Sequence, residues 1–115
     1  MPTSKTAAAV AAQCAVLEKN LIAAHENESI EAVYDGYTSC PLVTSRNEVL
    51  LAEFNYKFEK QETFPFDQSK PSKFSYFVKA DLLPKLYWIL HCRGHWNGPK
   101  YFRNIFNPSK RTELP

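Results

Sequence analysis

The chain has 115 residues, 44% hydrophobic and 23% charged, which fits one small globular domain and argues against a disordered chain. Three cysteines, an odd number, argue against a secreted disulfide framework, and no charged start followed by a leucine-type core marks a signal peptide. Free or transiently oxidised thiols in a reducing compartment fit better. The net charge of +2 hides an asymmetry: residues 1–69 carry five Lys/Arg against ten Asp/Glu, and residues 70–115 carry nine against two. The basic half also holds nine of the sixteen aromatics, a combination suited to an anionic membrane surface or to nucleic acid.

Pro2-Thr3-Ser4-Lys5 reads as a helix start, with Thr3 or Ser4 as the cap. Val10, Cys14, Leu17 and Leu21 follow at helical spacing as the expected packed stripe, with Cys14 in the core, and polarity ends the helix near His25-Glu26-Asn27. Asp35-Gly36 signals a turn. Two extended runs, 37–43 and 48–56, flank Thr44-Ser45-Arg46-Asn47 and predict a hairpin. In the second run Leu50, Ala52, Phe54 and Tyr56 are expected to face the core, with Glu53 and Asn55 outward. A loop over 57–72 centres on Phe64-Pro65-Phe66-Asp67.

Ser72 is placed to cap a helix carrying Phe74, Phe77, Val78 and Leu82. Asp81 is placed to cap a second, with Pro84 in its first turn and Leu83, Leu86, Tyr87 and Leu90 as its apolar stripe. Beyond Gly98-Pro99, Tyr101, Phe102, Ile105 and Phe106 form a third stripe beside Lys100 and Arg103. Such aromatic stripes flanked by cations suit helices lying in a lipid interface. The longest apolar run, Leu86–Leu90, falls far short of the ~20 residues of a membrane span.

Within this α+β pattern Cys40 stands between Ser39 and Pro41 with no partner nearby in sequence. It is either a packed small thiol or a reacting one. His91, Cys92 and His95 lack a fourth ligand and convincing spacing, so no metal site is expected. No helix-turn-helix, finger or RNA-binding signature is present, so nucleic acid is not an expected partner. An interaction module that binds membranes or another protein is the alternative to an enzymatic role.

Quoted in order, "PTSKTAAAVAAQ" (2–13), "YDGYTSCPLVT" (34–44), "LAEFNY" (51–56), "ETFPFDQSK" (62–70) and "KADLLPKLYWILHCRGHWNGP" (79–99) resemble the C-terminal part of the mitochondrial type of sulfide:quinone oxidoreductase. The resemblance runs from Pro2 to about Phe106. It implies a piece of a two-dinucleotide-fold α/β flavoprotein, with the Gly-rich FAD fingerprint, the Rossmann-like domains, the second redox cysteine and the targeting segment absent from this chain. Met1 stands where the family has continuing chain with a Gly-Asp pair. Ser45-Arg46-Asn47-Glu48 and His95-Trp96-Asn97 depart from the family pattern.

The resemblance implies that residues 1–69 are the end of the FAD-binding region and residues 70–115 a membrane-docking tail. Cys40 matches a redox-active cysteine, the one expected to carry persulfide sulfur. In the implied cycle hydrogen sulfide attacks the bridged cysteine pair, and the second thiolate passes two electrons to FAD. The sulfur leaves to glutathione or sulfite, and the electrons pass to ubiquinone. Lys5 and the amides near Thr6 are expected at the flavin. Phe64, Phe66, Phe77, Leu86, Tyr87, Trp88, Trp96 and Phe102 are expected at the quinone or the membrane. The implied location is the periphery of the mitochondrial inner membrane. Without the FAD fold, no turnover is expected of residues 1–115 alone.

Overall fold

A β-hairpin organises the chain: one helix abuts its start, and the C-terminal helices cross one of its faces. The computed structural model describes residues 4–107. Helix α1 spans Ala7–His25, and Thr6 caps it by accepting from the Ala9 N–H at 3.2 Å. The cap therefore lies beyond Ser4, and Thr3 lies outside the described residues. Thr6 wins because its own backbone is extended at φ −107° and ψ 156°, the conformation a capping residue needs. The helix ends where polarity rises, and Asn27 then turns the chain at φ +58°.

The packed side of α1 is not the expected stripe. Ala9, Ala11 and Ala15 are buried, whereas Val10, Cys14, Leu17 and Leu21 are exposed. Alanines permit close approach, and the 97–99 segment uses it: a Cβ added at Gly98 would sit 3.6 Å from the Ala12 Cβ. Although no long uninterrupted apolar run exists, this 19-residue helix is long and apolar enough, by length and composition, to cross a membrane. Its packed alanines, and the Asn20 side chain bonded to both backbone groups of Ala32, make it part of the folded unit.

Strands β1 (Thr38–Ser45) and β2 (Glu48–Phe54) pair antiparallel, with Cys40 opposite Ala52 and an irregularity between Val43 and Ser45. Before β1, Gly36 adopts φ +84° directly against Tyr56, whose ring would lie 2.3 Å from an added Cβ. The buried face of β2 is the reverse of the expected one. Val49, Leu51 and Glu53 point inward, while Leu50, Ala52 and Phe54 are half-buried. Glu53 tolerates burial because four donors converge on its carboxylate.

Ser72 pairs with Val49 through two backbone bonds and caps α2 (Lys73–Phe77), accepting from Ser75 N–H at 3.0 Å. The helix does not restart at Asp81. It runs through a π-helical turn, Val78–Leu82, into α3 (Leu83–Ile89), with the Leu83 N–H bonded to the Val78 carbonyl five residues back. Pro84 supplies a reason: it lacks an N–H and would crowd the carbonyl four residues earlier, and a wider turn relieves that. A short 3₁₀ turn (His91–Arg93) and α4 (Lys100–Phe106) follow.

The apolar core, Val49, Leu51 and Val78 with Phe64 and Leu83 packed against it, is small. Each fully buried member contributes about 1.5–3 kcal/mol. Among the described residues seven apolar side chains are buried against twenty-one large ones exposed. The surface is thus unusually apolar for a chain standing alone.

Candidate functional site

Cys40 lies mid-strand on β1 with its thiol exposed. Leu51 sends its N–H outward to the Gln68 carbonyl at 3.2 Å, so the Pro41–Leu51 pair is non-hydrogen-bonded and the adjacent Cys40–Ala52 pair is the hydrogen-bonded one. The proline after the cysteine therefore costs the ladder nothing. On a strand alternate residues share a face, so Cys40 points the same way as Thr38 and Leu42.

Thr38 meets α1: its hydroxyl lies 3.4 Å from that of Thr6. The N-terminus of a 19-residue helix, the positive end of its dipole, thus abuts the strand face that carries Cys40. The first turn has no acidic residue, and Lys5 is exposed just ahead of it.

The opposite face is held by a buried polar network. Tyr37 donates to Glu53 Oε1 at 2.6 Å and Gln68 Nε2 to Glu53 Oε2 at 2.6 Å. Thr63 donates through its N–H at 3.0 Å and its hydroxyl at 2.8 Å. Burial, then the Glu53 charge and hydrogen bond, push the Tyr37 hydroxyl well above its usual range. Arg103 reaches in from α4, donating from Nη1 to Gln61 Oε1 at 2.8 Å, with its guanidinium 4.9 Å from the Tyr37 ring centroid. At 1% exposure Arg103 is buried rather than flanking the aromatic stripe, and its Nε has no partner among the described residues.

The aromatic candidates form three clusters. Phe64 and Phe66 stack at 5.5 Å, each meeting Phe74 edge-on. Tyr87 contacts Trp88 and His91, and its hydroxyl is raised by a hydrogen bond to Cys92 and by that thiol's charge. Trp96 stacks on Phe102 at 5.8 Å. Phe77 and Trp88 are exposed, and Leu86 is half-buried. A separate cleft of about 450 Å³, lined by Ala12, Val16, Tyr37, Pro99 and Arg103 among others, excludes both Cys40 and the phenylalanine pair.

The ordered match to known proteins decides what this site is part of. The chain is 52% identical over 107 residues to the mitochondrial sulfide:quinone oxidoreductase of Mus musculus, covering 93% of this chain. It is 46% identical over 99% of its length to the mitochondrial sulfide:quinone oxidoreductase of Dictyostelium discoideum. This chain is homologous to a segment of the mitochondrial sulfide:quinone oxidoreductases. The same protein of Schizosaccharomyces pombe is 42% identical over 87% of the chain. The chain spans about a quarter of the length of these curated relatives, 24%, 25% and 23% in the same order. No family model matches it. The described residues show an α+β arrangement of helices and one two-stranded sheet.

Sequence reasoning missed Glu53 and Arg103 as buried partners and Thr38 as the link from Cys40 to α1. One signal was available: a lone Glu inside the run Val49-Leu50-Leu51-Ala52-Glu53-Phe54. A carboxylate there must point to water or to a set of donors.

Proposed function

We propose that this chain provides the sulfur-handling cysteine, the flavin-facing helix and the membrane-docking tail of a sulfide:quinone oxidoreductase. The observation that carries the proposal is the exposed Cys40 thiol, on the strand face whose Thr38 touches the capping Thr6 of α1. Residues 1–69 form the end of the FAD-binding region and residues 70–115 the tail. The fold outside this chain is the two-dinucleotide flavoprotein scaffold.

The residues fit one edge of a flavin: a helix N-terminus without acidic side chains favours negative charge, and Lys5 stands free to add to it. Bound FAD supplies a two-electron relay between sulfur and quinone. Thr6 fixes the helix end, and Lys5 with the amides near Thr6 holds the charged edge.

Cys40 does the sulfur chemistry. Hydrosulfide attacks the Cys40 sulfur of a disulfide shared with a second cysteine of the longer enzyme. That S–S bond breaks, its electron pair leaves on the second cysteine as a thiolate, and Cys40 keeps the new sulfur as a persulfide. Glutathione thiolate or sulfite attacks the outer sulfur and releases Cys40 as a thiolate. Re-forming the disulfide yields the two electrons that quinone accepts.

Phe64 and Phe66 with Phe74 offer an apolar, aromatic slot of the kind a quinone head group needs. Phe77, Leu86, Tyr87, Trp88, Trp96 and Phe102 seat the tail on the inner mitochondrial membrane. The test is a hybrid in which this chain replaces the matching segment of the mouse enzyme. It reduces quinone with sulfide, Cys40→Ser removes that turnover, and the 115-residue chain alone gives none. Full turnover by the Cys40→Ser hybrid refutes the assignment.

A further inference from the structure

Two cations from the tail grip the cysteine segment at its two ends. Arg103 lies over the Tyr37 ring, three residues before Cys40. Lys79, in the π-helical turn, donates from Nζ to the Pro41 carbonyl at 3.1 Å, one residue after it. Lys79 is half-buried, and its partner is a backbone oxygen rather than a carboxylate.

That carbonyl is unusual. Because Pro41 and Leu51 form a non-hydrogen-bonded pair, the Pro41 C=O points away from β2, along the outer edge of β1. Pro41 has no N–H, so its carbonyl is the one hydrogen-bonding group it can offer to this outer edge. Among the described residues Lys79 is the hydrogen-bond partner of this oxygen. A charge-assisted bond there holds the strand immediately beside the thiol. Lys79 reaches it from a π-helical turn, a distortion often found where a helix serves a site.

We infer that Lys79 is a positioning residue for Cys40: it fixes the Cys40–Pro41 segment on β1, and so ties the attitude of the thiol to the seating of the C-terminal helix. The inference rests on Cys40 as the reacting thiol and goes beyond it in naming what aims the sulfur. Lys79 acts through the backbone and does not touch the reacting atoms. Loosening this edge lets β1 open locally, and a bulky disulfide reagent then meets less resistance at Cys40.

The test uses the 115-residue chain carrying Cys14→Ser and Cys92→Ser, both exposed positions, so that Cys40 is the single thiol. Lys79→Met removes the donor and keeps the aliphatic stem, while Lys79→Arg keeps a donor. Amide exchange at Cys40 and Leu42, the reaction rate of the thiol with an aromatic disulfide reagent, and the urea midpoint are measured. In Lys79→Met both amides exchange at least about tenfold faster, and the thiol reacts severalfold faster at an unchanged urea midpoint. Lys79→Arg returns both rates to those of the parent. Parent-like rates in Lys79→Met, a change in one rate alone, a lowered midpoint that accounts for both, or no rescue by arginine each overturn the inference. These readouts need no turnover, so the redox role of Cys40 is judged separately, by quinone reduction in the hybrid enzyme.

Discussion

Glu53 shows how one side chain sets the cost of a buried site. Its carboxylate only accepts, and every group around it donates, so an amide in its place would turn an N–H₂ toward at least one donor. Glu53→Gln is expected to lower unfolding free energy by about 1–3 kcal/mol, measured by urea denaturation at pH 7. Tyr37 adds a pH dependence. Its hydroxyl is raised in the folded state, by burial first and by Glu53 second. Below the ordinary tyrosine pKa of 10.0 the contribution is fully present. As pH rises past that value the unfolded chain loses this proton while the folded chain keeps it, so stability falls. Urea midpoints should therefore decline above pH 10, and Tyr37→Phe should flatten that decline while lowering stability at neutral pH.

At the scale of elements, the order of helix, hairpin and basic helical tail was legible in the sequence, because period, turn residues and caps are local signals. Ser72 was found as a cap for that reason. What was not legible depends on contacts distant in sequence. The stripe of Val10, Leu17 and Leu21 is real, yet α1 packs its alanine side, because only small residues admit the 97–99 segment. The alternation in β2 was correct in period and wrong in sign, since apolar residues occupy both faces and only Thr63, Gln68 and Tyr37 make the Glu53 side the inner one. Cys40 was legible as a reactive candidate only through its ordered family match. Its place opposite Ala52, and Thr38 against Thr6, required the pairing itself. The turn before β1 carries its own prediction. Gly36→Ala combines a strained positive φ with a Cβ pressed into Tyr56, and should cost at least about 2 kcal/mol in urea denaturation.

Over the whole molecule, eleven of the twenty-one exposed large apolar side chains among the described residues lie beyond residue 70, where the basic charge also lies. Phe77, Trp88 and Ile105 are all about half exposed or more, so replacing them with Ser should leave the urea midpoint near that of the parent. The same triple substitution should weaken co-sedimentation with anionic vesicles by at least about tenfold, given the apolar area each side chain would bury in lipid. Added salt should weaken binding of the parent chain, because cations contribute to it. Salt-independent binding, or a triple variant that binds like the parent, would remove the membrane role from the tail.

The π-helical turn acts as a phase setting. Each residue of an α-helix advances the azimuth by about 100°, and the wider turn absorbs one residue, so everything downstream is re-aimed by about that angle relative to an unbroken α-helix of the same sequence. Pro84→Ala would remove the crowding and let residues 73–89 form a regular helix, swinging Tyr87 and Trp88 about a quarter-turn from their present bearing relative to Phe77. A single codon thus sets the bearing of the tail's second aromatic half relative to its first.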